Sequence, residues 1–356
     1  MEVSMKFGIV AGPVYPSYDD MPTEQAFRQA MEMCEVARDS GYDGISVPHH
    51  YVTGPDAQVF PPIVELGYIA AICPGMYLAT TVMLLPLEQP VAMAEQAAML
   101  DAMTGGRFIF GIGQGYRQQE FDSVGILRKE KAPRIVEECE ILRRLWTGKK
   151  VSFEGKYYKL KDVTCSVKPV RPGGPPLMVG ADKLVSIARI PEHADYWVPS
   201  ARQSRTFLRE MMPHYKDALT KKGRKFDGVP FTRDICIGKD RDDAISIARE
   251  ALDRQYSIQR KWQQPGENYN IGIDELMHDR LIVGNARECA DEVIRDHEEF
   301  GSDFVWFRLF WPGMDRKKCM DGIKRIGQEV LPLVRKAVGA KSLFDFAHDD
   351  RAAKRA

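Results

Sequence analysis

Short apolar runs alternate with longer stretches of helical periodicity along most of the chain. The runs at 7–10, 44–47, 77–84, 107–112, 177–179, 196–198, 231–237 and 304–310 are strand candidates. Several are almost continuously apolar, as expected of parallel strands covered on both faces. Between them lie helical patterns. Residues 24–40 stop at Gly41, a glycine at the usual C-terminal position. Residues 91–103 place Val91, Ala94, Ala98 and Ala102 on one face and stop at Gly105-Gly106, and residues 132–146 align Ile135, Cys139, Leu142 and Trp146. Residues 287–300 and 314–338 behave similarly. This alternation predicts an α/β fold, a single (β/α)8 TIM barrel spanning 1–340, over an open doubly wound sheet. Two segments break the rhythm. Residues 150–176 hold two β-prone runs around Glu154-Gly155 and predict a hairpin insertion after helix four, and residues 255–279 predict a long loop or lid before strand eight. Residues 341–356 form a charged C-terminal tail.

Composition narrows the function classes. A hydrophobic content of 44% and a charged content of 28% suit a soluble protein with a sizeable core. A formal net charge of zero gives no support to a nucleic-acid or anionic-membrane partner. The seven cysteines are scattered, odd in number and without C-x-x-C spacing, which suits buried thiols better than a disulfide scaffold or a zinc site. No signal-peptide core opens the chain and no run approaches transmembrane length, so small-molecule chemistry in the cytoplasm is the expectation.

The densest local signal is TGGRFIFGIGQGYRQQEFDSVG at 104–125. It resembles a dinucleotide loop, but Gly111, Gly113 and Gly115 run as G-x-G-x-G, and Tyr116 takes the third fingerprint position. The polar run Arg117-Gln118-Gln119-Glu120 predicts that no amphipathic helix follows at once.

Barrels of this class place their reactive groups at the C-terminal ends of the strands. His49 and His50 follow strand two, where an imidazole can exchange a proton near neutral pH or merely brace a turn. Adjacent histidines on a strand face opposite sides, which argues against a shared metal. Gly180-Ala181-Asp182-Lys183 joins a strand to a helix: its backbone N–H groups suit an anion, while Asp182 would equally serve as a plain N-cap. Arg107 and Arg134 read as structural or solvated when taken alone. Tyr15, Tyr18, Phe60, Trp262, Phe310 and Trp311 fall on top-face connections and suggest a pocket for an apolar or planar ligand.

Together these motifs resemble the bacterial luciferase-like flavin-dependent monooxygenases. The likeness runs through GYDGISVPHHYV, LATTVMLLPLEQPVAMAEQAAMLDAMTGGRFIFGIGQGYRQQEFDSVGI, RIVEECEILRRLWTGKKVSFEGKYYKL, PPLMVGADK, LFWPGM and IGQEVLPLVR. The resemblance implies an isoalloxazine ring across the barrel mouth, with the glycines of strand four leaving bare backbone beneath it. It implies a non-proline cis peptide at Thr81-Val82 against the ring, and His50 as the catalytic acid–base group. His49 stands where relatives often carry Glu. Cofactor contacts are implied at Thr81, Val82, Gly113, Gln114, Tyr116, Arg134, Gly180, Ala181 and Asp182, with Arg134 reaching the phosphate. Gln114 stands where the luciferases place an arginine near that phosphate, and Asp182 replaces a serine. The implied activity is a monooxygenase that uses O2 and reduced FMN from a separate reductase to oxidise a small organic substrate. A deazaflavin-dependent hydride-transfer enzyme and a non-catalytic accessory barrel are the alternatives. Relatives pair through helices two and three, which implies a homodimer.

Overall fold

In the computed structural model, which describes residues 5–12, 16–262 and 273–339, each of the eight apolar runs forms a strand. The strands are β1 (Lys6–Val10), β2 (Gly44–Val47), β3 (Tyr77–Thr80), β4 (Met83–Leu84), β5 (Phe108–Gly113), β6 (Val151–Glu154), β7 (Lys159–Val163), β8 (Leu177–Gly180), β9 (Tyr196–Val198), β10 (Val229–Ile237), β11 (Leu281–Gly284) and β12 (Ser302–Arg308). Every pairing of the main sheet is parallel, in the order β11-β10-β12-β1-β2-β3-β5-β8-β9, with β4 alongside β5. Parallel strands need long crossovers, and helices such as Thr23–Asp39, Pro90–Met103 and Ala286–Phe300 supply them. The sheet curls until β9 lies against β10.

Two layers of core follow from this curl. Outside, the helix faces and the outward strand positions form the main apolar cluster. Inside, Val10, Ala79, Ile109, Met178, Phe304 and Trp306 pack together. Trp306 explains two glycines: a Cβ on Gly8 would lie 2.3 Å from its ring, and one on Gly44 would lie 3.0 Å away. The stacked pair Phe304–Trp306, with centroids 4.1 Å apart, fills the sheet interior below the C-terminal strand ends.

The structure departs from the sequence pattern in four places. The run at 77–84 is two strands, interrupted at Thr81-Val82, where the peptide is cis. The short run Leu281–Gly284 was not foreseen as a strand, and it pairs with the end of β10. The polar run after Tyr116 leads into a helix, Gln118–Val124, whose Glu120 and Phe121 are fully buried. Of the expected lid, residues 255–261 continue the helix Arg241–Lys261 and Ile273–His278 is helical, while 263–272 lie outside the described residues, as does the charged tail. At 150–176, β6 and β7 pair antiparallel. Glu137 anchors their turn to the helix Lys131–Thr147, accepting N–H bonds from Lys156 at 2.8 Å, Tyr157 at 3.0 Å and Tyr158 at 3.2 Å.

Candidate active site

A cavity of about 260 Å³ opens where the strands end. Nine of the ten residues singled out from the sequence line it: His50, Thr81, Val82, Gly113, Gln114, Tyr116, Gly180, Ala181 and Asp182. Arg134 does not.

The glycines at and just beyond the end of β5 have separate steric causes. A Cβ on Gly111 would lie 1.9 Å from the carbonyl oxygen of Thr80, so this glycine lets the neighbouring strand approach. A Cβ on Gly113 would lie 2.5 Å from Cγ2 of Val82, the residue after the cis bond. Gly115 turns with φ of 72°, in the left-handed region that favours glycine. At Gly180 the nearest atoms to an added Cβ are 3.5 Å away, so that stretch is open to the cavity. The result is a wall of main chain from Gly113 to Gly115, facing the Val82 side chain and Gly180.

The two histidines divide their roles. His49 is almost fully buried, and its Nδ1 accepts the backbone N–H of Leu84 at 3.1 Å, which places its own proton on Nε2. Burial, with the neighbouring His50 adding to it, lowers its pKa to about 4. It is therefore a neutral brace at neutral pH. His50 stands half-sheltered at the cavity, with Nδ1 2.8 Å from Oε1 of Glu120. That oxygen also takes the N–H of Tyr51 at 3.1 Å and a guanidinium N–H of Arg117 at 3.3 Å. Facing an oxygen that already accepts two N–H groups, Nδ1 is the donor, which leaves Nε2 as the nitrogen able to exchange a proton. The rings of Tyr116 and Trp262 lie 5.7 Å and 5.1 Å from the imidazole.

On the side of Gly180, the group that reaches the cavity is Lys131, one helical turn before Arg134. Its ammonium donates to the carbonyl of Gly115 at 2.9 Å and is held below the usual lysine range, by burial first and by Arg128 next. Arg134 instead bonds Glu130 at 3.0 Å and the hydroxyl of Tyr158 at 3.1 Å, beneath the ring of Tyr157. Asp182 is not an N-cap: the helix Leu184–His193 is capped at Lys183 without a side-chain bond, and the Asp182 carboxylate lines the cavity with Ser186. A flavin-type group fits these residues. Bare main chain and Val82 suit a planar ring, and Lys131 with Ser186 suits an anionic end, opposed by Asp182.

The opposite wall was missed by sequence reasoning, apart from Trp262. Gln255 and Trp262 lie on one stripe of the helix Arg241–Lys261 and its C-cap, and Arg308 pairs with Asp234 in the buried floor. Gln255 Oε1 and Trp262 Nε1 are shielded from solvent and have no hydrogen-bond partner among the described residues. Of the six aromatics expected on the top-face connections, Trp262 alone among those described lines the cavity. Phe60 and Trp311 are core, Phe310 packs on the core, Tyr18 is exposed, and Tyr15 lies outside the described residues. All seven cysteines are buried and free. Among the described residues no group of three His, Cys, Asp or Glu could hold a metal, and no helix is long and apolar enough to cross a membrane.

Comparison with known proteins places the chain in a family. A profile of the luciferase-like monooxygenases matches residues 5–303. The F420-dependent glucose-6-phosphate dehydrogenase of Nakamurella multipartita is 25% identical over 324 residues, covering 86% of this chain and 93% of that protein. Among solved structures, the monooxygenase RslO1 from Streptomyces bottropensis superposes with a TM-score of 0.83 at 21% identity, covering 92% of this chain and 99% of that one. The oxygenating constituent of 3,6-diketocamphane monooxygenase from Pseudomonas putida, in complex with FMN, gives a TM-score of 0.77 at 17% identity, covering 93% and 99%. The chain belongs to the luciferase-like monooxygenase family.

Proposed function

We propose that the protein is an oxidoreductase that holds a flavin-type ring across the mouth of a closed eight-stranded barrel built from β1–β3, β5, β8–β10 and β12, with His50 handling a proton beside it. One observation carries this reading: side-chain-poor main chain from Gly113 to Gly115, opposite Val82, shares a cavity with an imidazole pinned by a buried carboxylate. Such a ring, when bound, supplies the electron-transfer chemistry. The chain's own residues do the rest. Thr81, Val82, Gly113, Gln114, Tyr116, Gly180 and Ala181 would hold the ring and its chain, and Lys131 and Ser186 an anionic end. Nε2 of His50 would hold or release the proton. Gln255 and Trp262 would meet the organic substrate and keep water out.

The reaction placed first is oxygenation of a small organic substrate with O2 and reduced FMN from a separate reductase. The absence of a dinucleotide fingerprint in 104–125 supports an external reductant. Hydride transfer with a deazaflavin is the second reading, favoured by three residues. Gln114 and Asp182 depart from the phosphate contacts of the luciferases, and Arg134, which the resemblance assigned to that phosphate, is bonded to Glu130 and Tyr158. Pairing of two copies through the helices Pro62–Ile72 and Pro90–Met103 is supported by their exposed Val64, Tyr68, Met99 and Met103.

Anaerobic titration with reduced FMN and with the deazaflavin, followed by tryptophan fluorescence, tests the cofactor. Micromolar binding of reduced FMN is expected. Binding of the deazaflavin alone would replace the first reading by the second, and binding of neither would remove both.

A further inference from the structure

We infer that Arg117 is a positioning residue: it holds Glu120 as the hydrogen-bond acceptor of His50, and so fixes which nitrogen of His50 presents its proton to the cavity. This rests on His50 being the proton-handling group of the site. Glu120 is fully buried. One of its oxygens serves His50, Tyr51 and Arg117, while the other, Oε2, has no partner among the described residues. Burying a carboxyl with half its lone pairs unanswered is costly, and a neighbouring cation offsets that cost.

Among the described residues, the charged and titratable groups in contact with the pair are few. On the segment after β2 stand His49, neutral by burial, and Tyr51. On the segment after β4, Glu88 takes the hydroxyl of Tyr51 at 2.5 Å and lies 3.9 Å from Nε2 of His49. Tyr116 and Trp262 bring uncharged rings. Arg117 is the cation in this group. Its geometry uses both terminal nitrogens of the guanidinium: one bonds the carbonyl of Tyr51 at 2.7 Å and Glu120, and the other reaches the carbonyl of Val52 and Gln119, both at 3.3 Å. It thereby ties the His50 segment to the helix Gln118–Val124. Trp262 closes the unit, with its ring 4.6 Å from the guanidinium carbon. A lysine at this position would supply the charge and lose the fork.

The test reads the imidazole directly. Histidine-labelled, cofactor-free full-length protein is titrated by NMR, with the His50 resonances assigned from the H50N variant. Removing a positive charge favours proton uptake by the His50–Glu120 pair, so Arg117→Met should raise its titration midpoint by about one unit or more. Arg117→Lys should keep the parent midpoint. Glu120→Gln, which removes a negative charge without changing shape, should lower it, and Arg117→Gln, which should raise it as R117M does, carries the test of Arg117 should R117M not fold. A midpoint unmoved in R117M, or unmoved or raised in E120Q, would overturn the assignment of Arg117. Because no cofactor is present, that outcome is separate from failure of the flavin reading, which the cofactor titration decides.

Discussion

Arg117 and Arg134 both follow β5, and each ends in a buried glutamate, yet the two clusters lead to different places. Arg117 bonds Glu120, and Glu120 bonds His50 at the cavity. Arg134 bonds Tyr158 of the hairpin, whose hydroxyl bonds the fully buried Glu138. Both clusters link an arginine to a buried carboxyl group, directly in one and through a tyrosine hydroxyl in the other, so such a link says nothing about function by itself. What stands at the far end decides: an imidazole open to a cavity in one case, a tyrosine binding the β6–β7 hairpin to a helix in the other. We therefore treat the first cluster as chemical and the second as architectural.

The largest expected effect breaks the comparison at the imidazole. His50→Ala should lower the single-turnover rate with the bound cofactor by about 100-fold or more, the usual range for a positioned acid–base group. Circular dichroism should show the fold intact. Full activity in that variant would return the Arg117 cluster to an architectural role.

Next in size is the pH dependence of stability, in which each region has its own limb. Burial pushes Glu138 up to about 8, against the pull of the Tyr158 hydroxyl and of Arg134. Its folded pKa is raised, so the native state keeps a proton that the unfolded chain releases. The associated stability is complete below the ordinary value of 4.5 and is lost as pH rises through 8. His49 runs the other way. Its folded pKa of about 4 lies below the ordinary 6.5, so stability present above 6.5 is lost as pH falls towards 4. Each limb is worth on the order of a few kcal/mol, at about 1.4 kcal/mol per unit. Glu65, buried in the helix Pro62–Ile72 and also pushed to about 8, shares the alkaline limb. Glu138→Gln should therefore flatten part of the alkaline decline in chemical denaturation and leave the acid decline unchanged. An alkaline slope untouched by E138Q would show that the carboxyl is already ionised.

These clusters also mark how far the sequence could be read. The alternation of apolar runs with helical stripes exposed eight strands of the curled parallel sheet, because the period of burial is written in single residues. His50, the glycines of β5 and the cis peptide at Thr81-Val82 were legible through position and resemblance. Arg117 and Glu120 were not. They lie in what reads as a solvated polar run, and their burial depends on each other and on His50, a residue distant in sequence. Leu281–Gly284 was missed because four apolar residues without a period do not distinguish a strand from a core loop. Lys131 was missed for a narrower reason: residues three apart share one side of a helix and differ by about 4.5 Å along its axis, so the resemblance found the right helix and named Arg134, while Lys131, one turn earlier, lines the cavity.

That last difference gives the third prediction. Lys131→Met should weaken binding of a phosphate-bearing flavin by about tenfold, the loss of one charge-assisted hydrogen bond. Arg134→Met should change the affinity by about twofold at most, on the same scale. Fluorescence titration of both variants measures this. A tenfold loss in R134M with none in K131M would reverse the assignment and bring Arg134 into the site.

The smallest effect tests whether the second cluster is only architecture. Tyr158→Phe removes one hydroxyl that joins Arg134 to Glu138 and leaves the ring in place. A buried hydrogen bond to a charged partner contributes about 1.5 to 3 kcal/mol, but two polar groups here remain partly served: Arg134 keeps Glu130 and the ring of Tyr157, and Glu138 can carry its own proton. The net loss should be about 1 kcal/mol in urea denaturation. Cofactor affinity and the His50 titration should stay at the parent values, because no contact joins Tyr158 to the Arg117 cluster among the described residues. A shift of the His50 titration in Y158F would show that the two clusters are coupled through the helix Lys131–Thr147, and the division between chemistry and architecture would fail.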